Sequence, residues 1–572
     1  MSKKRIVVMG GGTAGASAVA LLQAKLSDVA EITLIDSAEY EPVGVGEATV
    51  GNINAFLRMC DLDPFHTCLG AAEGTIKNSV HLKDWFQPGH SYFTPIGSTS
   101  MEYHDFLRHQ RPESEYWDSW TGLRLARRGK AVFLKPEFID ALPLPPVWPE
   151  YAFNIDAHAF ARKLIDVGLQ RGATHIRKTI TEVVTAGDDA ISHLVLEDGQ
   201  RIEADFFVDC SGFHRLIPKA LGLQITRFTD IPNNRAWATR IPYVDREREL
   251  PYLACVECQT MAAGWRWQIG LKHRIGTGYV FSSDYLSEEN ALNEFMGSFD
   301  GDRIAADDCQ LIRFETACYA RQGGTNWITC GLSAGFVEPL ESTSIFFMHN
   351  NLVSFLNLMS HNQMPAPVQM VSTAGWDSPT GPGSADASLA WSQESIDRYN
   401  YHTFHTFRTT VEYVAAHYAF STLDRSDYWK DWRGQRQRYL DITSNVLGYG
   451  NQDLYFSRPA FSLLCVGNQL GAVENWDLSR LILLDRQRPR WMSGELSSPR
   501  AVLDDRTRDE SLQAEVEYLG GQLCRSYLAD LFSQHAFDLI DQHQWLAHFD
   551  ERRSDELTRA SIEQLEMVQG QW

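Results

Sequence analysis

The glycine-rich segment near the N-terminus constrains the fold more than any other feature of the sequence. RIVVMG, residues 5–10, is a continuous apolar run typical of a parallel strand buried on both faces. Apolar residues with helical spacing follow, and EITLID, residues 31–36, is a second strand that ends at Asp36. The order of strand, glycine turn, helix and strand predicts a βαβ unit, and therefore an α/β protein that opens with a Rossmann-type domain.

The turn of this unit predicts a dinucleotide site. Its glycines form G-x-G-x-x-G, which allows a tight turn and lets a pyrophosphate approach the helix N-terminus. A carboxylate at the end of the second strand can accept hydrogen bonds from a ribose diol. The alternative is a purely structural turn, and the motif does not distinguish FAD from NAD. The candidate cofactor contacts are Gly10, Gly12, Thr13, Ala14, Gly15 and Asp36.

Two later segments favour a flavin. FFVDCSG, residues 206–212, and WITCGLSAG, residues 327–335, each read as a strand followed by a turn of small residues. We expect Ser211, Gly212 and Gly331 in these turns to contact the cofactor. No second strand leads into a G-x-G-x-x-G motif, so a nicotinamide-binding domain is not expected. A reduced flavin would then come from outside the protein.

The remaining pattern predicts two further regions. Four β-type segments between residues 236 and 282 indicate an antiparallel or mixed sheet separate from the first unit. Residues 362–388 are rich in Pro, Gly, Ser and Ala and predict a loop, after which the pattern is mainly helical. We therefore expect an FAD-binding and catalytic region over 1–361, a linker over 362–390, and a mainly helical substrate-covering region over 391–572.

Charge and composition exclude several classes of function. The formal net charge of −21 argues against a nucleic-acid partner, which requires a basic surface. No apolar run approaches the length of a membrane helix, and the N-terminus lacks a signal-peptide pattern, so no membrane association and a cytoplasmic location are expected. Cys255 and Cys258 form a CxxC within a predicted strand, which favours buried free thiols over a redox pair. No metal site is expected, and a monomer or homodimer remains open.

The segment GFVEPLESTSIFF, residues 335–347, places Glu338 and Glu341 among residues that otherwise look buried. A buried carboxylate is costly unless it is paired, hydrogen-bonded or used in chemistry.

The chain resembles the flavin-dependent halogenases, the group that contains the tryptophan halogenases. The resemblance covers most of residues 5–465 and rests on five motifs. They are GGGTAG at the start, VGVGEATV at 43–50, IKNSVHLKDW at 76–85, GWRWQIG at 264–270, and GFVEPLESTSIFF.

The resemblance implies that reduced FAD, oxygen and a halide ion, chloride or bromide, give hypohalous acid, which reaches a substrate held away from the flavin. It implies Lys77, eight residues before Trp85, as the residue that handles this acid, and Glu341 as an aid to electrophilic aromatic substitution. The alternatives are a solvated helix lysine, as expected for Lys83, and a carboxylate at a helix N-terminus. Glu338 fits the helix-terminal role better and is left out of catalysis.

The resemblance also implies positions around the flavin. Backbone N–H groups at Thr343 and Ser344 would hold the halide, although the family commonly has Gly at the second position. Glu47, Ala48 and Thr49 would touch the cofactor as a strap between the two sites. Trp265 and Trp267 would line the flavin pocket, although two aromatic residues on one face of a strand are also common in cores.

For the substrate, the resemblance implies a departure from the members that bind free tryptophan. In HYAFSTLDRSDYW, residues 417–429, His replaces a Tyr of the amino-acid clamp and Asp replaces a Glu. The stacking residues of the family correspond loosely to Thr94 and Ile96, which cannot stack. We therefore expect an electron-rich, indole-like aromatic substrate. The implied substrate contacts are Thr94, Ile96, His417, Tyr418, Asp424 and Trp429, the last of which is alternatively a core aromatic.

Two other functions stay open from the sequence. One is a flavin monooxygenase that hydroxylates a similar ring, which would need neither Lys77 with Glu341 nor the tryptophan pair. The other is a flavin-binding protein without turnover, which would tolerate loss of Lys77.

Overall fold

The computed structural model describes residues 3–37, 47–96, 123, 130–134, 151–299, 301, 303–361, 391–440, 442 and 539–541. The linker expected at 362–390 lies outside these residues, as does most of the chain after 442.

Helices form the minority of the described elements. The α-helices are α1 (Thr13–Leu26), α2 (Asn52–Met59), α3 (Ala157–Gln170), α4 (Leu216–Ala220), α5 (Arg246–Glu249), α6 (Glu288–Gly297), α7 (Thr343–His361), α8 (Gln393–Ala419) and α9 (Asp427–Arg433). A π-helix spans His66–Ala71, and 3₁₀ turns span Gly212–His214, Leu250–Leu253, Ala306–Asp308 and Gly331–Ser333.

Strands make up most of the framework. They are β1 (Lys4–Met9), β2 (Ala30–Asp36), β3 (Glu47–Ala48), β4 (Thr75–Lys77), β5 (Ser79–Lys83), β6 (Ser91–Pro95), β7 (Lys130–Leu134), β8 (Ala152–Ile155), β9 (Thr174–Arg177), β10 (Ile180–Thr185), β11 (Ile191–Leu196), β12 (Arg201–Ile202), β13 (Phe206–Asp209), β14 (Ile225–Arg227), β15 (Arg235–Ile241), β16 (Cys255–Met261), β17 (Gly264–Gly270), β18 (Ile275–Phe281), β19 (Gln310–Arg313), β20 (Ala317–Tyr319), β21 (Gly323–Gly324), β22 (Trp327–Thr329), β23 (Gly335–Phe336) and β24 (Leu539–Asp541).

The first sheet is the Rossmann-type sheet that the glycine motif predicts. Its strand order is β21-β22-β13-β1-β2-β9, and all pairs are parallel except β21 with β22. Apolar side chains of β1 are buried on both faces, with Ile6 and Val8 on one and Val7 and Met9 on the other. The predicted strand, turn, helix and strand are therefore confirmed, and the carboxyl ends of β1, β13 and β22 meet at one edge.

The second sheet confirms the separate mixed sheet. Its order is β19-β15-β18-β17-β16-β5-β6, with antiparallel pairs except for β16 with β5. Cys255 and Cys258 lie on β16 as buried free thiols, as expected from the strand pattern. Smaller antiparallel sheets are β3-β8-β4, β10-β11-β12, β14-β20-β23 and the pair β24-β7.

The small sheet β3-β8-β4 links two parts of the predicted site. Strand β8 pairs with the strap residues Glu47 and Ala48 and, further along, with Thr75–Lys77. The Thr49 hydroxyl donates to the backbone oxygen of Phe153 at 2.9 Å, and the Phe153 N–H donates back to that hydroxyl at 2.9 Å. This pairing fixes Thr49 beside Lys77.

Two long helices complete the described core. Helix α8 begins after Ser392, whose hydroxyl accepts a hydrogen bond from the backbone N–H of Ser395. It packs on α7 and on the first sheet, where the Tyr399 hydroxyl donates to the backbone oxygen of Thr329 at 3.2 Å. Within the C-terminal region, the described residues form helices α8 and α9 and the short strand β24. No helix among the described residues is long and apolar enough to cross a membrane.

The strand at Trp327–Thr329 is followed by a 3₁₀ turn at Gly331–Ser333 and by strand β23. Helix α7 begins at Thr343, after the segment that carries Glu338 and Glu341.

Candidate active site

The glycine turn has the close backbone packing that its motif predicts. Gly10 has φ +104°, and a Cβ on Gly15 would lie 1.8 Å from the backbone oxygen of Gly10. No side chain caps the N-terminus of α1 at Gly12, where a Cβ would meet nothing within 4 Å. Thr13 and Ala14 begin the helix. The turn therefore leaves the helix N-terminus open to a ligand.

Asp36 lies at the end of β2 as predicted, and it has a partner that the sequence did not indicate. His175 Nε2 on β9 lies 2.7 Å from Asp36 Oδ1. A Cβ on Gly11 would lie 2.3 Å from Asp36 Oδ2, so this carboxylate packs against the glycine turn. Gly11 is thus required in addition to the three motif glycines.

The two later turns meet the glycine loop at the same edge of the first sheet. Gly212 has φ +64° and Gly331 φ +69°, a region that favours glycine. A Cβ on Gly331 would lie 2.8 Å from Cβ of Ala14. Ser211 is held by its backbone N–H, which donates to the buried Asp209 at 2.9 Å. The structure brings these predicted cofactor residues together.

Lys77 is fully buried on strand β4, so the solvated-helix alternative is wrong. Its Nζ donates to the backbone oxygen of Thr49 at 2.9 Å and to Ser342 Oγ at 2.8 Å. Burial lowers the pKa of Lys77 to about 8, although the nearby Glu341 carboxylate acts in the opposite direction. Lys83 was expected to be a solvated helix lysine, which is also wrong. It lies on strand β5 and forms an ion pair with Glu257.

Glu341 is 3% exposed and has two side-chain partners. Thr94 Oγ1 lies 3.2 Å from each of its carboxylate oxygens, and His417 Nε2 lies 2.9 Å from Oε1. Glu341 lies before the first turn of α7 and is therefore not a helix-terminal carboxylate satisfied by backbone N–H groups alone. Thr94 and His417, both expected to bind substrate, instead contact the candidate catalytic carboxylate.

Ser342 connects these two groups, and sequence reasoning missed it. It follows Glu341 in the chain, and its hydroxyl accepts the hydrogen bond from Lys77. Its φ of +58° is unusual for a non-glycine residue and costs on the order of 1 kcal/mol or more. The turn at Ser342 places the carboxylate and the ammonium group in one buried site, with Lys77 close enough for the charge of Glu341 to affect its pKa.

The first turn of α7 contains both predicted halide residues. Thr343 is buried, and its Oγ1 has no hydrogen-bond partner among the described residues, while Ser344 is half-buried. Backbone N–H groups in the first turn of a helix have no intrahelical acceptor.

Glu338 was expected to be a helix-terminal carboxylate, but it lies at the centre of a buried hydrogen-bond network. Oε1 accepts hydrogen bonds from the Tyr418 hydroxyl and from Trp265 Nε1 at 3.1 Å, and Oε2 accepts one from Asn233 Nδ2 at 2.6 Å. Burial raises the pKa of Glu338 to about 7 against these hydrogen bonds. The network fixes Trp265, whose ring centroid lies 6.2 Å from that of Trp267 on the same face of β17.

Near Trp267 a glycine provides the space for the ring. A Cβ on Gly278 would lie 2.1 Å from the Trp267 ring.

In the strap, burial and the nearby Asp156 raise the pKa of Glu47 to about 7.

The remaining predicted substrate residues differ in their exposure to solvent. Trp429 is fully buried, donates from Nε1 to the backbone oxygen of Met261 at 2.8 Å, and stacks on Tyr418 with a centroid distance of 5.9 Å. These contacts are those of a core aromatic. Asp424 is exposed, whereas Ile96 is 8% exposed.

Comparison with known proteins assigns the family. The family model described as tryptophan halogenase matches residues 5–372, well over half of the chain. The chain belongs to the tryptophan halogenase family. A 7-chloro-L-tryptophan 6-halogenase from Kutzneria sp. is 28% identical over 90% of this chain and 98% of its own length. Tryptophan 6-halogenase SttH from Streptomyces toxytricini is 29% identical over 82% of this chain and 90% of its own.

Solved structures show the same fold. The structure of SttH superimposes with a TM-score of 0.74 at 24% identity, covering 96% of this chain and all of that one. BrvH, a flavin-dependent halogenase from Brevundimonas sp., gives 0.69 at 24% identity and covers 93% and 99% of the two chains. The predicted family and α/β fold are therefore confirmed.

The residues at this edge of the first sheet fit a dinucleotide. A Cβ at Gly10 or Gly15 would overlap backbone atoms, a Cβ at Gly331 would overlap the Cβ of Ala14, and the N-terminus of α1 carries no competing side-chain cap. The residues missed by sequence reasoning are Gly11, His175, Asn233 and Ser342. Only Gly11 had a signal in the sequence, as the middle residue of GGG.

Proposed function

We propose that this chain uses FADH2, oxygen and halide to make hypohalous acid and halogenates an electron-rich, indole-like aromatic through Lys77 and Glu341. The observation that carries the proposal is the buried arrangement of Lys77, Ser342 and Glu341. A lysine hydrogen-bonded to the residue beside a buried carboxylate serves no evident structural purpose, and burying it costs stability.

The cofactor would be held by the glycine turn, Asp36, the strap and the turns at Ser211–Gly212 and Gly331. Bound in its reduced form, FAD would supply hypohalous acid from oxygen and halide. The chain has no second glycine motif that follows a strand, which supports a separate flavin reductase as the source of FADH2. The backbone N–H groups of Thr343 and Ser344 are the proposed halide donors.

Lys77 would receive hypohalous acid at Nζ, either as a hydrogen-bond donor or as the nitrogen of a haloamine. Because its pKa is lowered to about 8, roughly a tenth of Lys77 is neutral at pH 7 in the folded protein. A neutral amine has the lone pair that haloamine formation requires. The Glu341 carboxylate would stabilise the cationic ring and accept its proton.

The substrate is proposed to be an indole-like ring without a clamped amino-acid group. The relatives named above act on tryptophan or chlorotryptophan by their names. Here the residues at the positions of the expected amino-acid clamp have other partners or face solvent. His417 contacts Glu341, Tyr418 contacts Glu338, and Asp424 is exposed. We propose that residues 391–572 cover the substrate beside the catalytic region at 1–361, since α8 supplies His417.

Mass spectrometry of one reaction tests this function. The protein is incubated with FAD, a flavin reductase, NADH, air, chloride and bromide, and with indole, tryptophan and phenol in parallel. We expect a halogen isotope pattern, strongest for indole. Addition of one oxygen atom would instead support the hydroxylase, and bound flavin without any product would support a non-catalytic flavoprotein.

A further inference from the structure

His417 makes two hydrogen bonds, one with each ring nitrogen. It lies in the last turn of α8 and is fully buried. Nδ1 lies 3.1 Å from the backbone oxygen of Tyr413, one turn earlier, and Nε2 lies 2.9 Å from Glu341 Oε1. The imidazole therefore bridges the helix backbone and the candidate catalytic carboxylate.

The geometry allows one proton between the two side chains. A carbonyl oxygen can only accept, so Nδ1 carries a hydrogen. Nε2 must then either accept from a protonated Glu341 or donate, as imidazolium, to the carboxylate. In both forms the line from Oε1 to Nε2 holds a single proton.

Other groups close to the pair do not replace His417 in this role. Thr94 Oγ1 touches both Glu341 oxygens, but a hydroxyl does not take up a proton near neutral pH. Charged or titratable groups that act electrostatically on one of the two are Lys77 from β4, Cys258 from β16 and Glu338 from the segment before α7. The Tyr413 ring packs edge-on against the imidazole, with a centroid distance of 4.8 Å.

We propose that His417 is a positioning residue that holds Glu341 by its Oε1 and shares one proton with it during halogenation. The inference rests on the proposed function. When the halogenated ring loses its proton, the C–H bond breaks, its electron pair returns to the ring, and the proton passes to Oε2. The proton on the line from Oε1 to Nε2 then lies on the imidazole, so Glu341 leaves the step with one proton and His417 becomes imidazolium.

This assignment makes a specific statement about pH. The pair is active with one proton and inactive with two, because Glu341 then cannot accept the ring proton. A neighbouring imidazolium repels the second proton. His417→Gln keeps a donor to Oε1 but cannot be protonated, so this repulsion is absent. We expect its kcat for halogenation to fall at a higher pH than that of the wild type.

Thr94→Val is the matched control because it removes the other contact to the same carboxylate. We expect kcat to fall with a much smaller change in its pH dependence, since a neutral hydroxyl is lost. If kcat of His417→Gln is lowered equally at every pH, His417 has a structural role only and the inference is overturned. If the wild type does not halogenate, the proposed function fails first, so the two failures are distinguishable.

A second measurement does not depend on activity, and the wild type with Glu341→Gln is sufficient for it. A proton shared between a buried imidazole and a carboxylate gives an exchangeable NMR resonance far downfield. We expect this resonance in the wild type at low temperature and its loss in both His417→Gln and Glu341→Gln. A wild-type spectrum without it, or its persistence in Glu341→Gln, contradicts the shared proton.

Discussion

Replacing Lys77 by Met tests whether a charged lysine is buried at a cost to stability. The side chain is fully buried, and burial lowers its pKa from 10.5 to about 8. The folded pKa lies below that of the unfolded chain, so the unfolded state binds more protons between pH 8 and 10.5. The free energy of unfolding therefore rises with pH through this window, and the full penalty is present below pH 8.

The size of the effect follows from these two pKa values. Linkage gives a penalty of about 3 kcal/mol at pH 7 and about 1 kcal/mol at pH 9.5. The wild type should therefore gain about 2 kcal/mol relative to Lys77→Met between pH 7 and pH 9.5. Methionine has a similar length and no titratable group, so the difference isolates the lysine.

Denaturant unfolding followed by tryptophan fluorescence measures this difference at the two pH values. Lys83→Met, which removes a partly exposed lysine from neighbouring strand β5, gives the effect of losing a positive charge from the same region. A difference between wild type and Lys77→Met that is the same at pH 7 and 9.5 would refute a buried ammonium with a lowered pKa.

Three further substitutions test the site and the cofactor turn. Ser342→Ala removes the hydroxyl that accepts from Lys77 and should lower kcat for halogenation about 10- to 100-fold, because a hydrogen bond to a charged group is lost; an unchanged kcat would exclude this role. Gly15→Ala places a Cβ 1.8 Å from the Gly10 oxygen and should lower both the melting temperature and FAD affinity, measured by fluorescence titration. Gly12→Ala, where a Cβ meets no protein atom within 4 Å, should weaken FAD binding and leave the melting temperature unchanged. Equal melting temperatures for Gly15→Ala and wild type would contradict the close packing of the turn.

The sequence predicted those parts of the fold that local pattern controls. The alternation of apolar strands and the glycine turn specified the first sheet, and β-type segments specified β15 to β18 in the second. Pairing between distant strands is not a local property, so the short sheet that joins the strap to Lys77 had no signal. For the same reason, the local sequence alone suggested that Lys77 lies in a helix, and only the family resemblance indicated another role.

The site was predicted less completely than the fold. The family motif identified Lys77 and Glu341, but the hydrogen bonds around them depend on side chains that meet from β6, the turn before α7, and α8. Glu338 was misassigned because its partners Asn233, Trp265 and Tyr418 come from three separate segments. The left-handed backbone of Ser342 also could not be predicted, since serine has no preference for that conformation.

The yield of halogenated indole per FADH2 oxidised, compared in wild type, Lys77→Met and Glu341→Gln at saturating bromide, tests the central claim most directly. The account predicts a brominated product from the wild type alone, with FADH2 oxidation and FAD affinity preserved in both variants. A yield in Lys77→Met equal to that of the wild type would contradict the assignment of the buried lysine to the reaction.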